Sequence, residues 1–120
     1  MSPSSAPSPA TMVRPRIRIG EAITIGPGKI DLLRHVAQGR SISAAARSMG
    51  LTYKRAWLLI DALNRGFGRP VVEAVSGGKG GGGARLTPLG EDLIARYEAL
   101  QDKLETAAQP ELDALRALTE

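Results

Sequence analysis

The sequence of 120 residues predicts one domain that is mainly α-helical and contains a small β-hairpin. Three observations support this fold class. Between residues 29 and 65, three successive segments carry apolar residues at the spacing of one helix face. Residues 70–75 and 84–87 have the composition of short strands, and a glycine-rich loop joins them. From Pro88 onward, apolar residues recur every three or four positions, which predicts a long final helix.

The start of the chain predicts a tail followed by short strands. Residues 1–15 are rich in Ser and Pro and lack the apolar segment of a secretory signal, so we expect a disordered tail. Isoleucines at positions 17, 19, 23 and 25 then alternate around Gly20-Glu21. This pattern predicts one or two strands, or a hairpin with a two-residue turn. We expect the folded domain to span residues 16–108, and residues 109–120 to form a short tail or helix.

Capping residues predict where the helices begin and end. Gly39 is expected to end the first helix, and Ser43 to cap the second. Thr52 is expected to cap a third helix that ends at Gly66 and Gly68, and Thr87 to cap the long helix from Pro88. The second helix has one narrow apolar stripe, made of Ile42, Ala45, Ala46 and Met49.

The second and third helices form a helix-turn-helix candidate, because only a tight turn at Gly50 separates them. In that motif, the first residues of the second helix of the pair meet base edges in the DNA major groove. Hydroxyl, phenol and cationic side chains begin this helix and suit hydrogen bonds to bases and phosphates. Either Lys54 or Arg55 could face the bases, since sequence alone does not set the rotation of the helix. An ordinary αα-corner with a charged start is the alternative.

The hairpin that follows makes the predicted arrangement a winged helix-turn-helix with a long C-terminal helix. The glycine-rich loop becomes the wing, and its bare backbone can approach phosphates closely. Lys79 and Arg85 would add cations for phosphate contacts. The residues predicted to bind DNA are Ser41, Ser43, Thr52, Tyr53, Lys54, Arg55, Lys79, Gly80, Gly81 and Arg85.

Charge is distributed unevenly along the chain, whose net charge is +4. Residues 40–87 contain eight basic and two acidic residues, whereas residues 88–120 contain three basic and eight acidic residues. A basic centre favours a polyanionic partner, and an unevenly charged solvated surface is the alternative.

The sequence offers no catalytic or metal-binding set. It contains no cysteine and one histidine, His35, whose position beside an apolar residue favours a structural role. A Walker loop around Lys79 would need a glycine at position 73 and Ser or Thr at position 80, but Glu73 and Gly80 stand there. We therefore expect no enzymatic activity, no cofactor and no metal. No apolar run approaches a membrane span, so we expect no membrane partner. The absence of cysteine suits a cytoplasmic protein.

The helix-turn-helix and the wing together resemble the molybdate-responsive transcriptional regulator (ModE) family, whose DNA-binding domain is related to the LysR-type winged helix. The resemblance covers about residues 28–105, and Arg40 stands where the pattern has glycine. It implies a transcriptional regulator that binds double-stranded DNA and controls molybdenum-related genes. Full-length members carry C-terminal molybdate-binding domains, and because this chain ends at Glu120 we expect a stand-alone DNA-binding domain that does not bind molybdate. The matching features are Ser41-Ile42-Ser43, Ala46, Gly50, Tyr53-Lys54, Ala56-Trp57, Asn64, the glycine block 77–83 with Lys79, Ala84, Leu86-Thr87 and Gly90.

An apolar seam along the last helix predicts a homodimer, which would bind an inverted-repeat operator. Packing of the seam on its own chain is the alternative, and Tyr97 suits either the core or the dimer contact. Trp57 is expected to anchor the core, with stacking on nucleic acid as the alternative. Asn64 is expected to bond local backbone, with contact to a base as the alternative. Two other hypotheses remain open: a winged-helix protein-interaction module without specific DNA reading, and, more weakly, oxyanion sensing at the glycine-rich loop. The seam consists of Leu93, Tyr97, Leu100 and Leu104.

Overall fold

The computed structural model of the chain describes residues 12–76 and 83–120. These residues form a hairpin, three helices, a second hairpin and two further helices, which confirms the predicted fold class. Within the described ranges, no helix combines the length and the apolarity needed to cross a membrane. The elements are β1 (Ile17–Ile19), β2 (Ile23–Ile25), α1 (Pro27–Gly39), α2 (Ile42–Met49), α3 (Tyr53–Phe67), β3 (Val72–Val75), β4 (Gly83–Leu86), α4 (Pro88–Ala107) and α5 (Gln109–Ala117).

The helix α1 lies at the centre of the core and packs against α2, α3, α4 and the β3–β4 hairpin. Its apolar residues are buried because every neighbouring element covers one part of its surface. The two alanines at 45 and 46 let α2 approach α1 closely, and both are buried. The core residues contributed by α1 are Ile30, Leu32, Leu33 and Val36, each with no exposed surface.

The two helices of the helix-turn-helix are capped by side chains. Thr52 accepts a hydrogen bond from the Arg55 amide at 3.0 Å and begins α3, as predicted. The prediction that Ser43 caps α2 is wrong. Ser41 adopts the extended backbone of a cap and accepts from the Ala44 amide at 2.9 Å. Ser43 is therefore left in the first turn of α2, where it is exposed.

The end of α3 lies two residues beyond the predicted Arg65. Gly66 lies inside the helix, where a Cβ would lie 2.8 Å from Cγ1 of Ile23. The missing side chain thus lets α3 pack against β2. The stop comes at Gly68, whose φ of 72° belongs to the left-handed region that glycine adopts without strain.

The end of α1 connects the helices to the second hairpin. The sequence predicts a stop at Gly39, but Gly39 is the last helical residue and Arg40 takes the left-handed conformation, with φ of 56°. The Arg40 carbonyl accepts a hydrogen bond from the Ala84 amide of β4 at 3.0 Å. A Cβ at Gly83 would lie 2.5 Å from the same oxygen, so glycine there permits this contact.

The first hairpin has a three-residue turn, and the predicted two-residue turn is wrong. Ile19 pairs with Ile23, which leaves Gly20, Glu21 and Ala22 between the strands. Gly20 has a φ of 59°, a conformation that three-residue hairpin loops commonly require of one residue.

The start of α4 is bonded to the chain before β3. Thr87 caps α4 as predicted, accepting from the Gly90 amide at 3.1 Å. Its hydroxyl also donates to the Pro70 carbonyl at 2.8 Å, and its amide donates to the Val71 carbonyl at 3.0 Å. These bonds fix the direction in which α4 leaves the second hairpin.

Residues 13–15 pack along α4, although the sequence predicts a disordered tail up to residue 15. The Val13 amide donates to a carboxylate oxygen of Glu105, and the Val13 carbonyl accepts from the Gln101 side chain at 2.7 Å. The Tyr97 hydroxyl donates to the Pro15 carbonyl at 2.7 Å. Long-range contacts of this kind decide where the folded domain begins.

Tyr97→Phe is expected to lower the free energy of unfolding by about 0.5–1.5 kcal/mol, because the Pro15 carbonyl loses its donor. Burial raises the pKa of the Tyr97 phenol, with smaller effects from nearby charges. Unfolded tyrosine ionises near pH 10, so this group stabilises the fold below about pH 10 and loses that effect as the pH rises through the higher folded pKa.

Urea unfolding at about pH 8 and about pH 11 would measure both effects. Tyr53→Phe is the matched control, since Tyr53 is 53% exposed. It should leave the free energy of unfolding unchanged at the lower pH. Equal losses in the two variants would contradict the role given to the Tyr97 hydroxyl.

Candidate nucleic-acid interface

The rotation of α3 about its axis is set by the residues it buries. Ala56, Ile60 and Leu63 face the core, with at most 3% of their surface exposed. At 3.6 residues per turn, Lys54 and Leu58 lie on the opposite side of the helix, and both are exposed. Of the two cations at the start of α3, Lys54 is therefore the one directed away from the protein.

One flank of α3 faces the second hairpin across an open groove of about 290 Å³. Tyr53 and Trp57 line this groove from α3, and Ser41 and Ser43 line it from the start of α2. The prediction that Trp57 anchors the core is wrong, because 44% of its surface is exposed. Trp57 follows the buried Ala56 by one residue, which turns it by about 100° toward the groove.

The floor of this groove is held by Asn64. Its side-chain oxygen accepts from the Val71 amide at 2.7 Å, and its nitrogen donates to the Val72 carbonyl at 3.4 Å. This confirms the expectation that Asn64 bonds nearby backbone. The two bonds fix the start of β3 against α3, and so position the hairpin beside the exposed aromatic residues.

The other flank of α3 carries Arg55. With Arg16 and Lys29 it surrounds a pocket of about 210 Å³ beside the first turn of α1. The Lys29 amine donates to the Thr24 carbonyl at 2.8 Å, which holds it at the edge of the pocket. Burial lowers the pKa of Lys29, and the positive charges of Arg16 and Arg55 lower it further.

The second hairpin places Arg85 opposite Glu73. The two residues are register partners on β3 and β4, and their side chains form an ion pair at 2.9 Å. Arg85 remains 67% exposed. The predicted wing residues Lys79, Gly80 and Gly81 lie outside the described residues.

Glu73→Gln is expected to strengthen binding to any DNA duplex several-fold and to steepen the salt dependence of the affinity. The substitution removes a negative charge from the groove and leaves Arg85 without its carboxylate partner. Because an exposed ion pair contributes about 0–1 kcal/mol to stability, the hairpin should persist. Fluorescence anisotropy with one labelled duplex across a salt series would test this. Asp113→Asn on α5 is a control with the same charge change, and an equal gain there would contradict a local effect.

The predicted seam of α4 is divided between the core and the surface. The sequence predicts Tyr97 to lie either in the core or at a dimer contact. It is 4% exposed and lies in the core. Leu93 and Leu100 lie along an apolar groove that β1 and Phe67 also line, and Leu104 is 36% exposed. The three leucines remain the candidates for a dimer contact.

The described residues show no other chemistry at this surface. In the ranges 12–76 and 83–120, no group of three or more acidic or histidine side chains could hold a metal ion. The arrangement consists of an exposed helix start, an aromatic flank and a cationic flank.

A family model described as bacterial regulatory helix-turn-helix protein, lysR family, matches residues 28–91. The chain belongs to this family. The lysR-family match begins in α1 and ends in the first turn of α4, so it contains the helix pair and the second hairpin. Arg16, a residue of the candidate interface, lies before the matched residues 28–91.

Curated relatives of this lysR-family chain include proteins with molybdenum in their names. It is similar to the molybdenum-pterin-binding protein MopB of Rhodobacter capsulatus, with 51% identity over 77 residues, 64% of this chain and 28% of that protein. It is also similar to the DNA-binding transcriptional dual regulator ModE of Escherichia coli strain K12, with 40% identity over 84 residues, 70% of this chain and 32% of that protein. The chain thus spans about a third of these relatives or less. The expected resemblance to the ModE family is confirmed.

Two solved structures share the lysR-family fold. The CbnR DNA-binding domain, solved in complex with DNA, superposes with a TM-score of 0.53 at 20% identity, covering 78% of this chain and 97% of that one. A LysR family transcriptional regulator superposes with a TM-score of 0.51 at 18% identity, covering 69% of this chain and 27% of that one. At these identities the likeness shows the fold alone, and it confirms the winged helix-turn-helix.

Sequence reasoning missed two residues of the candidate interface of this lysR-family chain, Arg16 and Lys29. The signal available in the sequence was Lys29, a cationic residue beside the helix start predicted at Pro27. Their approach to Arg55 depends on the packing of β2 against α3, which no local pattern encodes.

Proposed function

We propose that this chain binds double-stranded DNA sequence-specifically and acts in transcriptional regulation as a homodimer. The observation that carries the proposal is the exposed first turn of α3, which has groups suited to phosphate on both flanks. A helix with this exposure fits the major groove, where its first residues meet base edges. Lys54 is the base-reading cation in this proposal, because the buried face of α3 directs it outward.

The groove flank would hold one strand of the duplex. Ser43 is exposed at the start of α2, and helix N-termini bind phosphates through free amides and the helix dipole. Tyr53 and Trp57 offer apolar and hydrogen-bonding surface next to the bases. Thr52 and Ser41 act indirectly, since their hydroxyls cap the helices that present these groups. Arg85 would complete the contact from the hairpin.

A homodimer would pair two such surfaces on an inverted repeat, with half-sites about one helical turn or a multiple of it apart. The leucines of α4 are the proposed contact, supported by the apolar groove that the half-buried Leu93 and Leu100 line and by the exposure of Leu104. The names of several relatives include molybdenum, so we propose molybdenum-related genes as targets and the cytoplasm as the location.

Selection of bound duplexes from random oligonucleotides would test this function. The dissociation constants of a selected and a random duplex are then compared across a salt series. We expect the selected duplex to bind about 10³-fold more tightly or better, as specific regulators do. A ratio near one would refute sequence-specific regulation and favour a protein-interaction module. Sedimentation of the free protein would measure whether it is a dimer.

A further inference from the structure

Three cations converge beside α1 without an acidic partner. Arg16, Lys29 and Arg55 line one pocket, and none takes part in the six ion pairs formed within residues 12–76 and 83–120. Like charges that approach one another destabilise a folded chain, so this cluster opposes folding. A bound anion would remove that cost, which makes an anion the ligand that the cluster fits.

The pocket has room and donors for a phosphate group. Its volume is about 210 Å³, and two of its lining residues are Gly26 and Gly28, which have no side chains of their own. A Cβ at Gly28 would meet no neighbouring atom within 4 Å, and the Arg16 side chain lies beside Gly26. The helix α1 begins at this point without a side-chain cap and without an acidic residue in its first turn. Its first amides therefore add to the positive field that the three side chains create.

We propose that this pocket binds a phosphodiester of the DNA strand on the side of α3 away from the second hairpin. The proposal rests on the proposed function, because it places α3 in the major groove. Arg55 follows Lys54 by one residue, so a site that contains Arg55 borders the groove that Lys54 enters. The protein groove between α3 and the second hairpin, beside Trp57, then faces one DNA strand. The cationic pocket faces the other DNA strand.

The test compares Arg16→Ala and Lys29→Ala with the intact chain on a selected and a random duplex. Each variant should lose about tenfold in affinity for both duplexes and should lower the salt slope by about one. The preferred base sequence should not change, since phosphates carry no sequence information. Arg116→Ala is the matched control, because this exposed cation of α5 lies outside the pocket and its loss changes the net charge equally.

Two results would overturn the proposal. The first is an unchanged salt slope in both variants while the intact chain still prefers the selected duplex; the proposed function would then stand without this site. The second is saturable binding of inorganic phosphate that Lys29→Ala abolishes, with DNA affinity unchanged, which would assign the pocket to a free oxyanion.

The proposed function and this site can fail separately. If the intact chain does not distinguish the two duplexes, sequence-specific regulation is refuted. The slopes of Arg16→Ala and Lys29→Ala on random DNA still decide whether the pocket holds a phosphodiester. Thermal unfolding supplies the remaining readout: because the cluster is repulsive, Arg16→Ala should unfold at the same temperature as the intact chain or higher. Lys29→Ala relieves the same repulsion but also loses the hydrogen bond to the Thr24 carbonyl, so the two effects oppose each other in that variant. Lower unfolding temperatures with unchanged slopes would give the residues a structural role and overturn the proposal.

Discussion

Gly90→Ala is expected to destabilise the fold by about 1–3 kcal/mol, which is a large part of the stability of a small domain. Gly90 lies in the first turn of α4, where its amide donates to the cap Thr87. A Cβ there would lie 2.3 Å from the carbonyl oxygen of Val71 and 3.2 Å from its carbon. Backbone atoms cannot move aside as a flexible side chain can, so α4 or the chain before β3 must shift.

This outcome would reverse the usual effect of the substitution. Alanine in a helix is ordinarily about 1 kcal/mol more favourable than glycine. Gly28→Ala is the matched control, because Gly28 lies in the first turn of α1 and a Cβ added there would meet no neighbouring atom within 4 Å. The midpoint of thermal unfolding should fall by about 4–8 °C for each kcal/mol of unfolding free energy that Gly90→Ala loses. It should not fall for Gly28→Ala. Equal midpoints for the two variants would contradict the contact with Val71.

Lys54→Ala is expected to reduce discrimination at one base pair by about 1–3 kcal/mol. The substitution removes a donor from the outward face of α3, which the burial of Ala56, Ile60 and Leu63 defines. Affinity for the selected duplex should therefore fall more than affinity for random DNA. Binding to a set of duplexes with single base-pair changes would show which position loses its preference.

Arg55→Ala separates base recognition from phosphate binding. It removes the same charge one residue away, but from the flank that faces Arg16 and Lys29. We expect a similar loss of affinity for every duplex and an unchanged base preference. The slope of log affinity against log salt concentration should be lower by about one. If Arg55→Ala instead relaxes the preference and Lys54→Ala does not, the assigned face of α3 is wrong.

Much of the helix-turn-helix could be predicted from sequence because its signals are local. Apolar spacing identifies the buried face of α3, and Thr52 and Thr87 are side-chain caps that act within four residues. Ser41 and Ser43 show the limit of such signals. Both are suitable caps by type, and only the packing of the α2 stripe against the core decides between them.

Tertiary contacts explain the other errors. The place of Trp57 one turn into a helix that carries Ile60 predicts a core position, but its angle on the helix places it at the groove. The predicted tail extends too far because Val13 and Pro15 bond residues of α4 that are more than 80 positions away in sequence. Arg16 reaches the cationic pocket for the same reason, since a distant part of the chain supplies its surroundings.

The hydrogen bond between the Ala84 amide and the Arg40 carbonyl has a consequence for how this kind of protein diverges. It joins the second hairpin to the end of α1 through main-chain atoms, so most side-chain changes leave it intact. Under the proposed function, the contacts with the sugar-phosphate backbone would then depend on the fold, whereas the outward residues of α3 would be free to vary. Under the proposed function, such a chain can acquire a new operator while it straddles the duplex in the same way.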